Sequence, residues 1–170
     1  MIPTLETKRL ILRAPKTEDF EAYAEFMAGD RSKGVGGPMD RAAAWGGFVG
    51  DAGQWVLLGY GFWIVEEKSS GKPAGQVGFW HPDHWPEVEL GWTMFEGFEG
   101  LGYAHEAAQE ARKFGYEVKG WGPIISLIVT GNARSVTLAE KLGATFERDW
   151  QSPAGHKAML YRHPAPEALQ

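Results

Sequence analysis

A chain of 170 residues is the usual length of one domain and can bury a sizeable core. Its 44% apolar content argues against disorder, and a formal charge of −5, with no run of Lys or Arg longer than two, lacks the basic footprint of a nucleic-acid binder. The chain has no cysteine, which excludes disulfides, thiolate metal sites and a cysteine nucleophile.

The mildly acidic balance tolerates a cationic amine better than an anion. The N-terminus has no basic region followed by an apolar run, and no stretch of about 18 apolar residues is long enough to span a bilayer. A cytoplasmic protein without a membrane partner is the expectation.

Residues 9–14 alternate around Leu10 and Leu12 and predict a first strand ended by Pro15. Thr17 stands as an N-cap, and Phe20, Tyr23, Ala24 and Met27 recur at helical spacing to about Ala28. Residues 29–38 read as a loop. Asp40 caps a second helix through Trp45, Phe48 and Val49. Glycines 46, 47, 50 and 53 weaken that helix by about 1 kcal/mol each, so a mobile element is expected there. Strands follow at 61–67 and 73–80 about a Ser-Ser-Gly turn, then a loop at 81–87 and a strand at 88–95. A helix over 104–118 stops at Gly120-Trp121-Gly122-Pro123. Residues 124–129 are nearly all apolar, as in a strand covered on both faces. A helix at 134–142, stopped by Gly143, precedes strands at 144–148 and 157–162. A single domain is predicted, with a core over about 5–162 and a loose tail at 163–170. The last strand pairs within the sheet or across a dimer, leaving monomer and homodimer both open.

The stretch 89–106, E-L-G-W-T-M-F-E-G-F-E-G-L-G-Y-A-H-E, runs from strand through a glycine turn into a helix. That arrangement suits phosphate, because small residues let the backbone approach and the first helical N–H groups face the anion. A dinucleotide-binding reading fails, since the third glycine of G-x-G-x-x-G would be His105. The H-x-x-H of His81 and His84 is not a metal site, because Pro82 blocks helical spacing and no further ligand lies nearby.

The element order resembles that of the GNAT superfamily of N-acetyltransferases. So do T-K-R-L-I-L-R, E-V-E-L-G-W with E-G-L-G-Y-A-H-E-A, and V-T-G-N-A-R-S-V-T-L-A-E-K-L-G-A. The nearer likeness is to the branch of ribosomal-protein N-terminal acetyltransferases. The resemblance implies a mixed α/β, mostly antiparallel sheet of six to seven strands with helices on both faces. The fourth and fifth predicted strands, 88–95 and 124–129, would splay to admit acetyl-CoA as co-substrate, without a metal. The family pattern (Gln/Arg)-x-x-Gly-x-(Gly/Ala) falls on Glu99, Gly100, Leu101, Gly102, Tyr103 and Ala104, so backbone N–H groups would grip the pyrophosphate. Glu99 departs from the pattern and is expected to point to solvent. Pantetheine would pair with the freed backbone of Trp92, Thr93, Met94 and Phe95 and with Asn132 and Ser135, although Asn132 equally caps a helix. A Tyr common in relatives is replaced by Ala139, leaving Ser135, Tyr103 or water to meet the thiolate.

What the resemblance implies chemically is direct acetyl transfer to a primary amine. Met94 N–H would be the oxyanion donor and Glu89, or Glu87, the general base. Two residues apart on one strand face, these carboxylates also read as ordinary exposed residues or ion pairs. Trp80, His81 and Trp85 would line the pocket for a small-molecule or peptide amine. The rival is a non-catalytic relative that binds acyl-CoA or a protein partner.

Overall fold

The computed structural model describes residues 1–169. Leu10 and Leu12 are fully buried in strand β2 (Leu10–Arg13), which pairs with the short β1 (Leu5–Glu6). A 3-10 turn, Thr17–Asp19, leads into helix α1 (Phe20–Ala28). The acceptor at this entry is Asp19, not Thr17. Its carboxylate takes the Lys16 N–H at 2.7 Å and both terminal nitrogens of Arg13 at 2.8 Å.

Helix α2 (Arg41–Leu58) is continuous through all four glycines and runs past Val49, where the predicted helix was followed no further. Asp40 accepts the Ala43 N–H at 2.8 Å, and Ala44, Phe48 and Trp55 bury a stripe along the helix. Trp55 also donates its indole N–H to the Phe62 carbonyl at 2.9 Å. Cap and packing both act against the glycine penalty.

Strands β3 (Phe62–Glu67), β4 (Pro73–Trp80) and β5 (Glu89–Met94) then follow as an antiparallel meander. Gly78 permits their close stacking, since a Cβ there would lie 2.2 Å from the Gly61 carbonyl oxygen. Helix α3 (Tyr103–Glu117) crosses to β6 (Ile125–Val129), and α4 (Ala133–Lys141) precedes β7 (Thr145–Gln151) and β8 (Lys157–Arg162). The eight strands form one mixed sheet in the order β1-β2-β3-β4-β5-β6-β8-β7. Seven of them match the predicted strands; β1 is the addition.

Helix α3 sets Ala107, Ala108 and Ala111 against Trp63, Val77, Phe79 and Leu90 on one face. Helices α1 and α2 cover Ile64 and Phe95 on the other. Strand β8 lies inside the sheet between β6 and β7, so it does not pair across a dimer. The loose tail expected from 163 does not begin there. His163 is 1% exposed, and the Tyr116 hydroxyl donates to the Pro164 carbonyl at 2.9 Å. Pro166–Leu169 form a 3-10 turn, and Gln170 lies outside the described residues.

Candidate active site

Among the described residues strands β5 and β6 are the one parallel pair, and they touch at a single register position, Glu89 opposite Ile125. Beyond it they diverge into a fork. The Phe95 N–H donates to the Ala74 carbonyl at 2.9 Å, so alternation turns the backbone groups of Thr93 and Phe95 toward β4. Those of Leu90, Trp92 and Met94 face the fork. The freed backbone is therefore narrower than residues 92–95; Trp92 and Met94 supply it.

Glu89 stands at the base of the fork. Its carboxylate accepts the Trp85 indole N–H at 2.6 Å and the Leu127 backbone N–H at 3.2 Å. Burial pushes its pKa up to about 7, partly offset by those two donors. Glu87 lies outside β5, and the Arg162 guanidinium grips its carboxylate at 2.5 and 2.8 Å. Of the two, Glu89 alone faces the fork with its charge unpaired by a cation.

Aromatic side chains collect on this face. Trp80 pairs in register with Glu89, the Trp80 and Phe62 rings lie 6.4 Å apart, and Trp150 backs Trp85 at 5.2 Å. Phe62 spreads over Gly91, where a Cβ would meet it at 3.1 Å. Trp80 and Trp85 thus sit beside Glu89. His81 lies in the neighbouring loop without a hydrogen bond among the described residues.

At the other end of the fork the chain turns through Gly97, Gly100 and Gly102, all with positive φ. Gly102, at φ 79°, is the N-cap of α3 and has no side chain to fill the space over its first turn. Arg9 fastens this loop, donating to the Leu101 carbonyl at 2.9 Å and to Glu106 at 2.7 Å. A depression of about 530 Å³ beside it is lined by Arg9, Gly102, His105 and Lys141 among others. Open helical N–H groups beside Lys141 fit a pyrophosphate, while Glu106 in the same lining is neutralised by its pairing with Arg9.

Glu99 does not point free into solvent. Its carboxylate meets Arg31 at 2.5 Å, and its own backbone N–H, with Arg31, holds it below the usual carboxylate range. Arg31 also donates to the Met94 carbonyl at 2.8 Å. The segment Asp30–Val35 thereby touches β5, while its Gly34 packs against Asn132 on the opposite side of the fork.

Asn132 caps α4 by accepting the Ser135 N–H at 3.3 Å. The Ser135 hydroxyl in turn accepts the Trp92 indole N–H at 3.4 Å, tying α4 to β5. Tyr103 turns elsewhere. Its hydroxyl donates to Glu67 at 2.5 Å, on β3, so it does not meet a thiolate in the fork. Its backbone, with that of Ala104, begins α3. Ala139 is fully buried against Ile128, Ala144 and Tyr161.

Sequence reasoning missed Arg9, Arg31, Leu127 and Trp150. Arg9 lay within the first motif, and the acid at Glu99 was itself a signal for a nearby cation. Leu127 and Trp150 carry no local signal.

Residues 9–145 match the family described as the acetyltransferase (GNAT) domain. An acetyltransferase from Agrobacterium tumefaciens str. C58 superposes with a TM-score of 0.89 at 38% identity, over 96% of this chain and 95% of that one. A putative ribosomal-protein-serine acetyltransferase from Vibrio cholerae shares the fold, with a TM-score of 0.78 at 19% identity, over 96% of this chain and 98% of that one. The uncharacterized protein YkkB of Bacillus subtilis (strain 168) is 33% identical over 102 residues, which is 56% of this chain and 59% of that protein's length.

Proposed function

The chain belongs to the GNAT acetyltransferase domain family, and from that premise we propose that it moves an acetyl group from acetyl-CoA to a primary amine by direct attack in a ternary complex. The lack of cysteine agrees with direct attack. The observation that carries the reading is Glu89. It is a carboxylate held by two N–H donors at the base of the fork, with a pKa near the working pH of a general base.

Acetyl-CoA supplies the activated acyl group and a good leaving thiolate. The glycine loop 97–102 and the first turn of α3 hold its pyrophosphate through backbone N–H groups. Trp92 and Met94 offer backbone groups to the pantetheine arm along the fork, with Asn132 and Ser135 on the facing side. The Met94 N–H meets the acyl oxygen as negative charge develops. Glu89 removes the amine proton, directly or through a water. With Tyr103 committed to Glu67 and Ala139 buried, Ser135 is the hydroxyl left near the fork, and the thiolate otherwise departs unprotonated.

The acceptor enters on the aromatic side, past Trp80, His81 and Trp85, where rings beside a carboxylate favour a cationic amine. It is a small-molecule or peptide amine, met in the cytoplasm. Among the described residues no helix is long and apolar enough to cross a membrane.

A thiol-release assay with acetyl-CoA over a panel of polyamines, amino acids, peptide N-termini and aminoglycosides tests this. Free CoA appearing with one amine class names the acceptor. Binding of acetyl-CoA without thiol release across the panel would show a binder instead of an enzyme.

A further inference from the structure

The fork opens at one identifiable hydrogen bond. The Ile125 N–H donates to the Val88 carbonyl at 3.2 Å, as a parallel pairing of Glu89 with Ile125 requires. Continued in register, the ladder would next join the Leu127 N–H to the Leu90 carbonyl. That rung is not formed, yet neither of its ends is left bare. The Leu127 N–H goes to the Glu89 carboxylate at 3.2 Å, and the Leu90 carbonyl accepts the Ser126 hydroxyl at 2.7 Å. Two side chains, one from each strand and one on each face of the sheet, replace the missing backbone bond.

The Ser126 hydroxyl has a fixed direction. Arg112, 5% exposed, donates to the Leu142 carbonyl at 2.6 Å and lies 3.1 Å from His163 Nδ1. A guanidinium has no acceptor, so Nδ1 must accept. Burial and the nearby Arg112 charge hold the His163 pKa down to about 3, so the imidazole is neutral and carries its proton on Nε2. Nε2 lies 3.0 Å from Ser126 Oγ and donates to it. The hydroxyl proton is then directed at Leu90. Each donor in the sequence Arg112, His163, Ser126 determines the next.

We propose that Arg112, His163 and Ser126 are positioning residues that hold the β5–β6 ladder unzipped at this rung, and so leave the Leu127 N–H free to orient Glu89. The inference rests on the transferase reading for its catalytic consequence, not for its geometry. Without the Ser126 hydroxyl the buried Leu90 carbonyl lacks a donor, and the nearest replacement is the Leu127 N–H. Closing that rung narrows the fork and strips Glu89 of one of its two donors.

The test uses the full chain with two disrupting variants, Ser126→Ala and His163→Leu, and two conservative ones, Ser126→Thr and His163→Gln. A through-hydrogen-bond NMR coupling from the Leu127 nitrogen to the Leu90 carbonyl carbon is expected in the disrupting variants and not in wild type. With the acceptor identified by thiol release, kcat should fall about tenfold and the KM for acetyl-CoA rise several-fold. The conservative variants should restore both. A merely structural role predicts a lowered melting temperature, no new coupling, and kcat and KM of the folded protein within twofold of wild type; that result overturns the proposal. If wild type releases no thiol with any amine, the transferase reading fails, while the coupling still decides the relay. Should one disrupting variant fail to fold, the other carries the same measurement.

Discussion

Glu89→Gln should weaken catalysis and strengthen the fold at alkaline pH. The folded protein raises the Glu89 pKa from 4.5 to about 7, chiefly by burial. Between those values the native state keeps a proton that the unfolded chain has lost, so stability falls as pH rises from about 4.5 to 7. Above 7 both states are ionised and the full cost remains. At about 1.4 kcal/mol per decade of proton affinity, that cost is about 3 kcal/mol. Glutamine carries no charge to desolvate. It does turn an NH2 toward either Trp85 or Leu127, which costs about 1–3 kcal/mol at any pH. That penalty cancels when two pH values are compared. The stability difference between Glu89→Gln and wild type should therefore move about 3 kcal/mol in the mutant's favour between pH 4 and pH 8. Urea melts at both pH values, followed by tryptophan fluorescence, measure it. Transferase turnover at pH 8 should fall by about 10²–10⁴ in the same variant. A stability difference that does not change with pH would refute the assignment of a desolvated carboxylate at the fork.

Removing Arg31 leaves Glu99 unpaired beside the glycine loop 97–102. Arg31→Ala should weaken acetyl-CoA binding about threefold to fivefold by calorimetry, as expected of a half-exposed pair, and Arg31→Ala with Glu99→Gln should recover most of it. Gly102→Val forces a β-branched residue to φ 79° and brings its Cβ to 3.4 Å from the Arg9 guanidinium. Acetyl-CoA affinity should drop tenfold or more and stability by about 1–3 kcal/mol; unchanged affinity would remove the loop from the cofactor site. Ala139→Tyr, which restores the residue common in relatives, must place a phenol among Ile128, Ala144 and Tyr161. It should lower stability by about 1–3 kcal/mol in a denaturant melt without raising kcat.

The sheet was legible because its signals are local. Leu10 and Leu12 alternate with half-buried neighbours, and four of the five residues of β6 are apolar, of which Ile125 and Ile128 are buried and Val129 is exposed. The extension of helix α2 past Val49 was not legible, because glycine propensity is local, whereas the burial of Ala44, Phe48 and Trp55 that favours the helix is tertiary. The same divide runs through the site. The glycine loop, Glu89 and Asn132 stand in contiguous motifs. His163 looked like the start of a tail, and only the fold brings it to Ser126, 37 positions away, and to Arg112, 51 positions away. Glu99 calls for a cation, but no local signal identifies it as Arg31, because the segment that carries Arg31 comes from between α1 and α2.

A sheet joined across its middle by a single parallel register position is, mechanically, two panels on a short hinge. Strands β1 to β5 form one panel with their own antiparallel ladders, and β6, β8 and β7 form the other. Beyond that position side chains such as Glu89, Ser126 and Ser135, and not backbone rungs, tie the panels together, so the ligand-free protein should melt with a broader transition than the loaded one. A molecule that lies between the panels and bonds to both supplies the rungs the chain omits. Loading the cleft should sharpen the melt into a single cooperative step, so that the sheet becomes whole only while it holds its substrate.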